Sequence, residues 1–355
     1  MRRGLERTAV ARRAMLAGLT AACCIPEGAL GAERFRTPRN HLGQPDLEGI
    51  WSSNSGTPLE RPKAFSSLWT TPGEAQAYLD KRRAMGPGPD NDPVGQSTTE
   101  WFQNLPMTVV AGQALTSFIV DPANGRLPYS DAGRKTMEAL TKSVEEDTAN
   151  VESRDVFERC LGGAGGPPLL SIPFGSLFQI IQTRDHVAIL AELMHETRII
   201  PLRPTHGPRG MKHWTGDAIG RWEGNTLIVE TSDFHPAATL RDIGFYISPD
   251  ATVTERFTRT SAREIRYEFE VADPNTYTQT WRGLMILKAT DERMFEYACH
   301  EGNYGLPGIL AGARVEEKAK AASTSVDTVT DKALPLKRTP RPTSRLHQAR
   351  SERGG

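Results

Sequence analysis

The clearest pattern along the chain is alternation. Ile265, Tyr267, Phe269 and Val271 are apolar, and Arg266, Glu268 and Glu270 between them are charged. Successive side chains of a strand face opposite ways, so this stretch predicts a strand with one dry face and one wet face. Residues 177–183 and 186–193 are two apolar runs split by Arg184 and Asp185, which is hairpin spacing. Residues 220–223 and 226–231 flank Gly224-Asn225, and glycine there supplies the positive φ of a tight hairpin turn. Further strand candidates are 197–202, 253–260, 276–287 and 294–299, with 109–120 nearer the N-terminus.

The rest of the chain reads as wrapping. Residues 33–60 form an extended entry, in which Asp46-Leu47-Glu48-Gly49-Ile50-Trp51 is a turn running into a strand. Residues 72–85 have helical composition with Pro72 as the first helical residue. Residues 86–98 are a loop of Gly, Pro and Asp, 121–125 a turn, 130–150 a helix opened by Ser130, and 162–168 a Gly/Pro loop. Strands at regular spacing argue for a barrel or a sandwich. The fold expected is all-β, a lipocalin-like antiparallel barrel or flattened barrel with N-terminal helices and long loops. A β-sandwich is the alternative. Residues 40–317 are expected as a single β-rich domain, and 318–355, basic and poor in large apolar residues, as a disordered tail.

Composition changes this picture in three ways. The 355 residues carry 43 basic and 43 acidic side chains, so no net field attracts nucleic acid or an anionic membrane surface. Residues 1–32 read as an export signal: Arg2, Arg3, Arg7, Arg12 and Arg13, then an apolar run from Ala14 to Ile25, then small residues at Ala29, Gly31 and Ala32. The Arg12-Arg13 pair points to twin-arginine export, with an ordinary secretory signal as the alternative. No other segment is long and apolar enough to span a bilayer as a helix, so no integral membrane association is expected. Removing the signal leaves Cys160 and Cys299, expected as one disulfide in an oxidising compartment, or else as two buried thiols.

Several runs resemble motifs of a large group of secreted bacterial proteins of unassigned function. These are Gly220-Arg-Trp-Glu-Gly-Asn-Thr-Leu-Ile-Val-Glu-Thr231, Met194-His-Glu-Thr-Arg-Ile-Ile-Pro-Leu202, Asp273-Pro-Asn-Thr-Tyr-Thr278, Tyr297-Ala-Cys-His-Glu-Gly-Asn-Tyr-Gly305 and Asp46-Leu-Glu-Gly-Ile-Trp51. They span residues 46 to about 317. Ser232-Asp233-Phe234 departs from the Thr-Asn-Phe commoner in the group, and the basic tail looks like an addition. The resemblance implies a family and no mechanism.

Candidate chemistry falls into three clusters. Cys299-His300-Glu301-Gly302-Asn303-Tyr304 follows an apolar run, and His300 beside Glu301 offers a base and a carboxylate, with Gly302 letting the chain turn. The plain alternative is that His300 and Asn303 tie down a turn. Glu192, His195 and Arg198 suit proton transfer and the holding of an anion, or else form a surface ion pair at a hairpin. His213-Trp214, Asp217 and Arg221-Trp222 suit a sugar or apolar ligand, although Trp222 reads better as core. His186, His206, His235 and His347 are read as incidental.

The catalytic set expected is therefore His300, His195, Glu301 and Glu192. The substrate-binding set is Arg198, Asn303, Tyr304, Trp214, Asp217 and Arg221. His300 is expected to meet Glu192, His195 and Arg198 in one pocket inside the barrel. No pair of residues has HExxH or CxxC spacing, and no nucleophile elbow, P-loop or dinucleotide fingerprint occurs, so no metal and no cofactor is expected. Two functions fit: an exported cofactor-free enzyme doing acid–base chemistry (lyase, hydratase, isomerase or hydrolase) on a small organic or sugar-derived molecule, or a periplasmic lipocalin-like ligand-binding protein without turnover.

Overall fold

Among the described residues fifteen strands form the framework: β1 (Gly49–Ser52), β2 (Trp69–Thr70), β3 (Val109–Val110), β4 (Gln113–Leu115), β5 (Ile119–Asp121), β6 (Leu177–Gln182), β7 (His186–Ala191), β8 (Thr197–Pro201), β9 (Asp217–Glu223), β10 (Thr226–Ser232), β11 (Leu240–Arg241), β12 (Phe245–Tyr246), β13 (Thr252–Ser261), β14 (Glu264–Ala272) and β15 (Trp281–Ala289). The helices are α1 (Pro72–Ala84), α2 (Asp131–Glu146), a single turn α3 (Cys299–Gly302) and α4 (Gly305–Thr330). The structure is a computed structural model. It describes residues 35–84, 105–162, 165–169, 171, 176–208, 210–236, 240–241 and 245–330. From Thr37 onward they belong to one unit, Thr37–Gly355. The expected export signal at 1–32 lies outside the described residues.

The main sheet runs β8-β7-β6-β1-β15-β14-β13-β10-β9 with every neighbour antiparallel, and β5 adds to β15. Its two ends, β8 and β9, lie side by side, so the sheet nearly closes into a barrel. Gly220 on β9 allows that approach, because a Cβ there would lie 2.9 Å from Ile200 Cγ2 and 3.0 Å from Leu202 Cδ2. The all-β barrel expected from the alternation is the fold observed.

Register follows from one face being dry. Ile265, Tyr267, Phe269 and Val271 point inward and are buried. Arg266 pairs with Glu268 and Glu270 with Arg282 on the outside. Inside, Phe269 and Trp281 meet edge to face with centroids 5.6 Å apart, and Phe245 meets Trp281 at 5.7 Å. Aromatic pairs in this arrangement contribute about 0.5–1.5 kcal/mol each beyond their burial. The Gly224-Asn225 hairpin forms as expected, with Gly224 at φ +61°. The Ser130 hydroxyl caps α2 by accepting from Gly133 N at 3.0 Å.

Four segments differ from the sequence expectation. The apolar run 109–120 is three short strands, because Ala111 and Gly112 both take left-handed conformations (φ 49° and 82°) and turn the chain. β2, β3 and β4 then make a separate small sheet beside α1. The strand expected at 276 begins only at Trp281, since the Asp273 carboxylate is engaged by Ser248 and Asn275 and holds the chain in a turn. Residues 294–299 form no strand, because β15 has ended at Ala289 and no neighbour receives them. Finally, α4 carries the order past 317 to Thr330: Ala, Lys and Glu between 311 and 322 are strong helix formers even without large apolar groups. Residues 331–355 lie outside the described residues. Cys160 and Cys299 are bonded, with Cα atoms 5.8 Å apart and a sequence separation of 139. Among the described residues no helix is long and apolar enough to cross a membrane.

Candidate functional site

The pocket expected inside the barrel does not form, and the reason is local geometry. Met194 and His195 both take positive φ (62° and 49°) in a tight turn after β7, so Glu192 and His195 stay outside while Arg198 on β8 points in. Glu192 Oε1 accepts from Phe295 N at 2.8 Å, and His195 Nε2 accepts from Tyr297 N at 3.2 Å. Both residues therefore hold down the irregular segment before α3. His300 and Glu301 are solvent-exposed on that turn, and Tyr304 is 83% exposed. Asn303 donates to Glu158 O at 2.7 Å and accepts from Leu306 N at 3.2 Å, so it ties down and starts α4. The catalytic assignment of His300, His195, Glu301 and Glu192, and the binding roles of Asn303 and Tyr304, are not supported by this placement.

Arg198 is engaged elsewhere. Its Nη1 donates to Glu255 Oε1 at 3.0 Å and Gly165 O at 3.4 Å, and its Nη2 pairs with Glu255 Oε2. Tyr267 Oη donates to Glu255 Oε1 at 2.8 Å and accepts from Leu169 N at 2.8 Å. Burial alone would lower the Arg198 pKa, and Glu255 beside it more than offsets this, so the guanidinium stays charged. Burial, followed by the Glu255 carboxylate, holds the Tyr267 pKa well above its usual value. This triad joins β8, β13 and β14 across the interior and anchors the loop at 165–169. Its opposite charges pair with each other, and only the buried Arg198 Nε lacks a hydrogen-bond partner within the triad.

An open cleft lies on the outside of the barrel. Alternation on β9, β10 and β13 sends Leu227, Val229, Thr231 and Val253 inward. It therefore sends Asp217, Ile219, Glu230, Ser232 and Thr252 outward onto one face. After β8 the chain passes Pro204 and Thr205 and folds back over that face. His206 Nδ1 then lies 3.1 Å from Asp217 Oδ2, and His206 Nε2 lies 3.2 Å from Glu230 Oε1. Asp217 is itself fixed by Gly207 N at 2.9 Å and Arg203 Nη2 at 3.3 Å. On the opposite wall, Lys212 Nζ sits 3.3 Å from Asp233 Oδ1, 3.7 Å from Asp250 Oδ1 and 3.2 Å from Pro249 O. Between the walls is a cleft of about 730 Å³.

The chemistry of this cleft follows from the donor inventory. With a carboxylate oxygen facing each ring nitrogen, only the doubly protonated imidazole donates to both. Asp217 is held from three sides, and it fixes the ring. Glu230 is 42% exposed at its side chain, so its bond to Nε2 faces the cleft. Of the third expected cluster, Asp217 reaches the cleft through His206, without itself being one of the lining residues. Trp214 instead stacks on His235 with centroids 4.5 Å apart and is not one of the residues lining the cleft. Arg221 is exposed and paired with Glu223 at 2.9 Å. Among the described residues no group of three or more His, Cys, Asp and Glu is arranged to hold a metal ion. No family model matches the chain, and no curated protein or solved structure matches it.

Proposed function

We propose that this is an exported enzyme that moves a proton on a small polar organic or sugar-derived molecule, using its own side chains as acid and base. The observation that carries the reading is His206, whose two ring nitrogens both lie within reach of carboxylates at the edge of a 730 Å³ cleft. Asp217 fixes Nδ1 and so decides which nitrogen works. Nε2 gives or takes the proton once a ligand group displaces Glu230, and Glu230 then receives or returns it. Lys212, Ser232 and Thr252 offer hydrogen bonds to ligand oxygens. The Cys160–Cys299 bond and the signal-like residues 1–32, with their Arg12-Arg13 pair, support export by the twin-arginine route to a periplasmic or extracellular, oxidising compartment. The resemblance to secreted bacterial proteins points the same way.

The test is proton NMR in deuterated water with a panel of small hydroxy-carbonyl compounds and reducing sugars. The wild-type protein is expected to wash deuterium into the carbon next to the carbonyl of at least one of them. His206→Gln is expected to lower that rate by about 100-fold or more with unchanged circular dichroism, and Asp217→Asn by a smaller factor. Full activity in His206→Gln, or no exchange across the panel, overturns the assignment. Saturable binding with no exchange makes the cleft a carrier site instead.

A further inference from the structure

The Cys160–Cys299 disulfide is not placed like an inert cross-link. Phe157, Met194, Tyr297, Ala298 and Cys299 border a second cavity of about 410 Å³ on the outside of the barrel. Both cysteines are partly buried, and Cys299 lines the cavity while Cys160 is not among its lining residues. They differ in electrostatics as well. Asn303 Nδ2 lies 3.5 Å from Cys160 Sγ, and its amide hydrogens are directed there and at Glu158 O. A donor beside a sulfur favours the thiolate over the neutral or bonded form. The Cys160 backbone is also held at φ +56°, a left-handed conformation that costs energy in a residue with a Cβ.

From these three features we propose that the pair is a thiol-exchange site for a small apolar or aromatic thiol, with a fixed direction of attack. The incoming thiolate enters the cavity and bonds to Cys299 Sγ. The Cys160–Cys299 bond breaks, and Cys160 leaves as a thiolate beside Asn303. The products are a mixed disulfide on Cys299 and one free thiolate, so the incoming sulfur is oxidised and Cys160 reduced in equal measure. The leaving thiolate's pKa governs such a step, which gives Asn303 its positioning role. Phe157, Met194 and Tyr297 supply the apolar wall that selects the thiol. Opening the bond removes one tie on the segment between β15 and α4, whose remaining anchors include Glu192, His195 and Asn303.

The experiment uses the folded, oxidised protein and benzyl mercaptan as the probe. The reaction is quenched in acid, freed thiols are alkylated, and the two cysteine peptides are mapped by mass spectrometry. The expected result is the benzyl adduct on Cys299 and the alkyl group on Cys160. A smaller hydrophilic thiol, 2-mercaptoethanol, is expected to react more slowly. Asn303→Ala and Asn303→Asp are each expected to slow the exchange about fivefold, the size of one lost hydrogen bond, with the fold checked by circular dichroism. Using two variants separates loss of the donor from loosening of the turn, because loosening speeds the reaction. An adduct on Cys160, equal adducts on both, no reaction without denaturant, or variants that react as fast as wild type overturns the proposal.

Discussion

Glu255→Gln tests the interior triad, since it removes one charge and changes almost nothing in size. In the wild type the Glu255 carboxylate receives both Arg198 terminal nitrogens and the Tyr267 hydroxyl. Both partners of the ion pair are essentially inaccessible, with side-chain exposures of 1% and 0%. In the variant one amide oxygen remains to accept, and the new NH₂ meets the guanidinium as donor against donor. Arg198 then lies buried with only the weaker influence of the Glu196 carboxylate to balance it. Removing one member of a buried pair costs about 3–5 kcal/mol, mostly through the stranded charge. Gly165 O at 3.4 Å is too long to compensate. Replacing both members, Arg198→Met with Glu255→Leu, removes the stranded charge, and the double variant is expected within about 1–2 kcal/mol of wild type. The assay is urea unfolding with the disulfide kept oxidised, together with both single variants for a double-mutant cycle. A Glu255→Gln cost below about 1 kcal/mol, or single-variant costs that simply add in the double, refutes the reasoning.

Two further outcomes follow from the packing. Burial raises the Tyr129 pKa. Burial, followed by the ionised Tyr129, raises that of Tyr277, and burial, followed by Glu255, raises that of Tyr267. Unfolded tyrosines ionise near about 10, so their contribution to stability is complete below that pH and is lost as pH rises through the raised values. Alkaline titration followed by tyrosinate absorbance and circular dichroism is expected to show these groups ionising only as the barrel unfolds; seven tyrosines titrating smoothly with the fold intact refutes it. Gly283→Ala places a Cβ 2.0 Å from Phe269 Cζ, across the β14–β15 pair. Its expected cost is about 1–3 kcal/mol by urea unfolding, recovered in part by Phe269→Leu; a neutral substitution shows that the ring does not lie against Gly283.

The strands were legible because period-two alternation reports a physical fact, that one face of each strand is dry. The same rule carried more than was drawn from it. Glu255 stands in register with Val253 and Phe257, so alternation alone turns a carboxylate into the core and demands a partner there. Arg198 alternates with Ile200 in the same way on β8. The left-handed residues were not legible. Ala111, Met194, His195 and Cys160 all take positive φ without being glycine, so residue type does not announce the turns they make. Two of the four differences in the fold, the broken run at 109–120 and the loss of the strand at 294–299, arise where such a turn or the end of a sheet overrides local apolar content.

His206 is hidden in the sequence for a different reason. Alternation says which face of a strand a side chain takes, and Asp217 and Glu230 could be placed together on the outer face of β9 and β10 from the hairpin register. It does not say which loop returns to cover that face. The dense motif around His300 is conspicuous because its polar residues are adjacent in sequence, yet in the fold His300 and Glu301 face solvent and Asn303 ties down the turn. What separates the candidates is how each polar group is satisfied. Glu192, His195 and Asn303 are bonded to backbone groups whose positions the fold requires, so occupying them with a ligand would cost structure. His206 is satisfied by two carboxylates, one held from three sides and one half in water, and the second bond can be exchanged for a ligand without disturbing the sheet. That asymmetry suits a group that must change partners, and it makes Glu230, rather than Asp217, the bond that a bound molecule replaces.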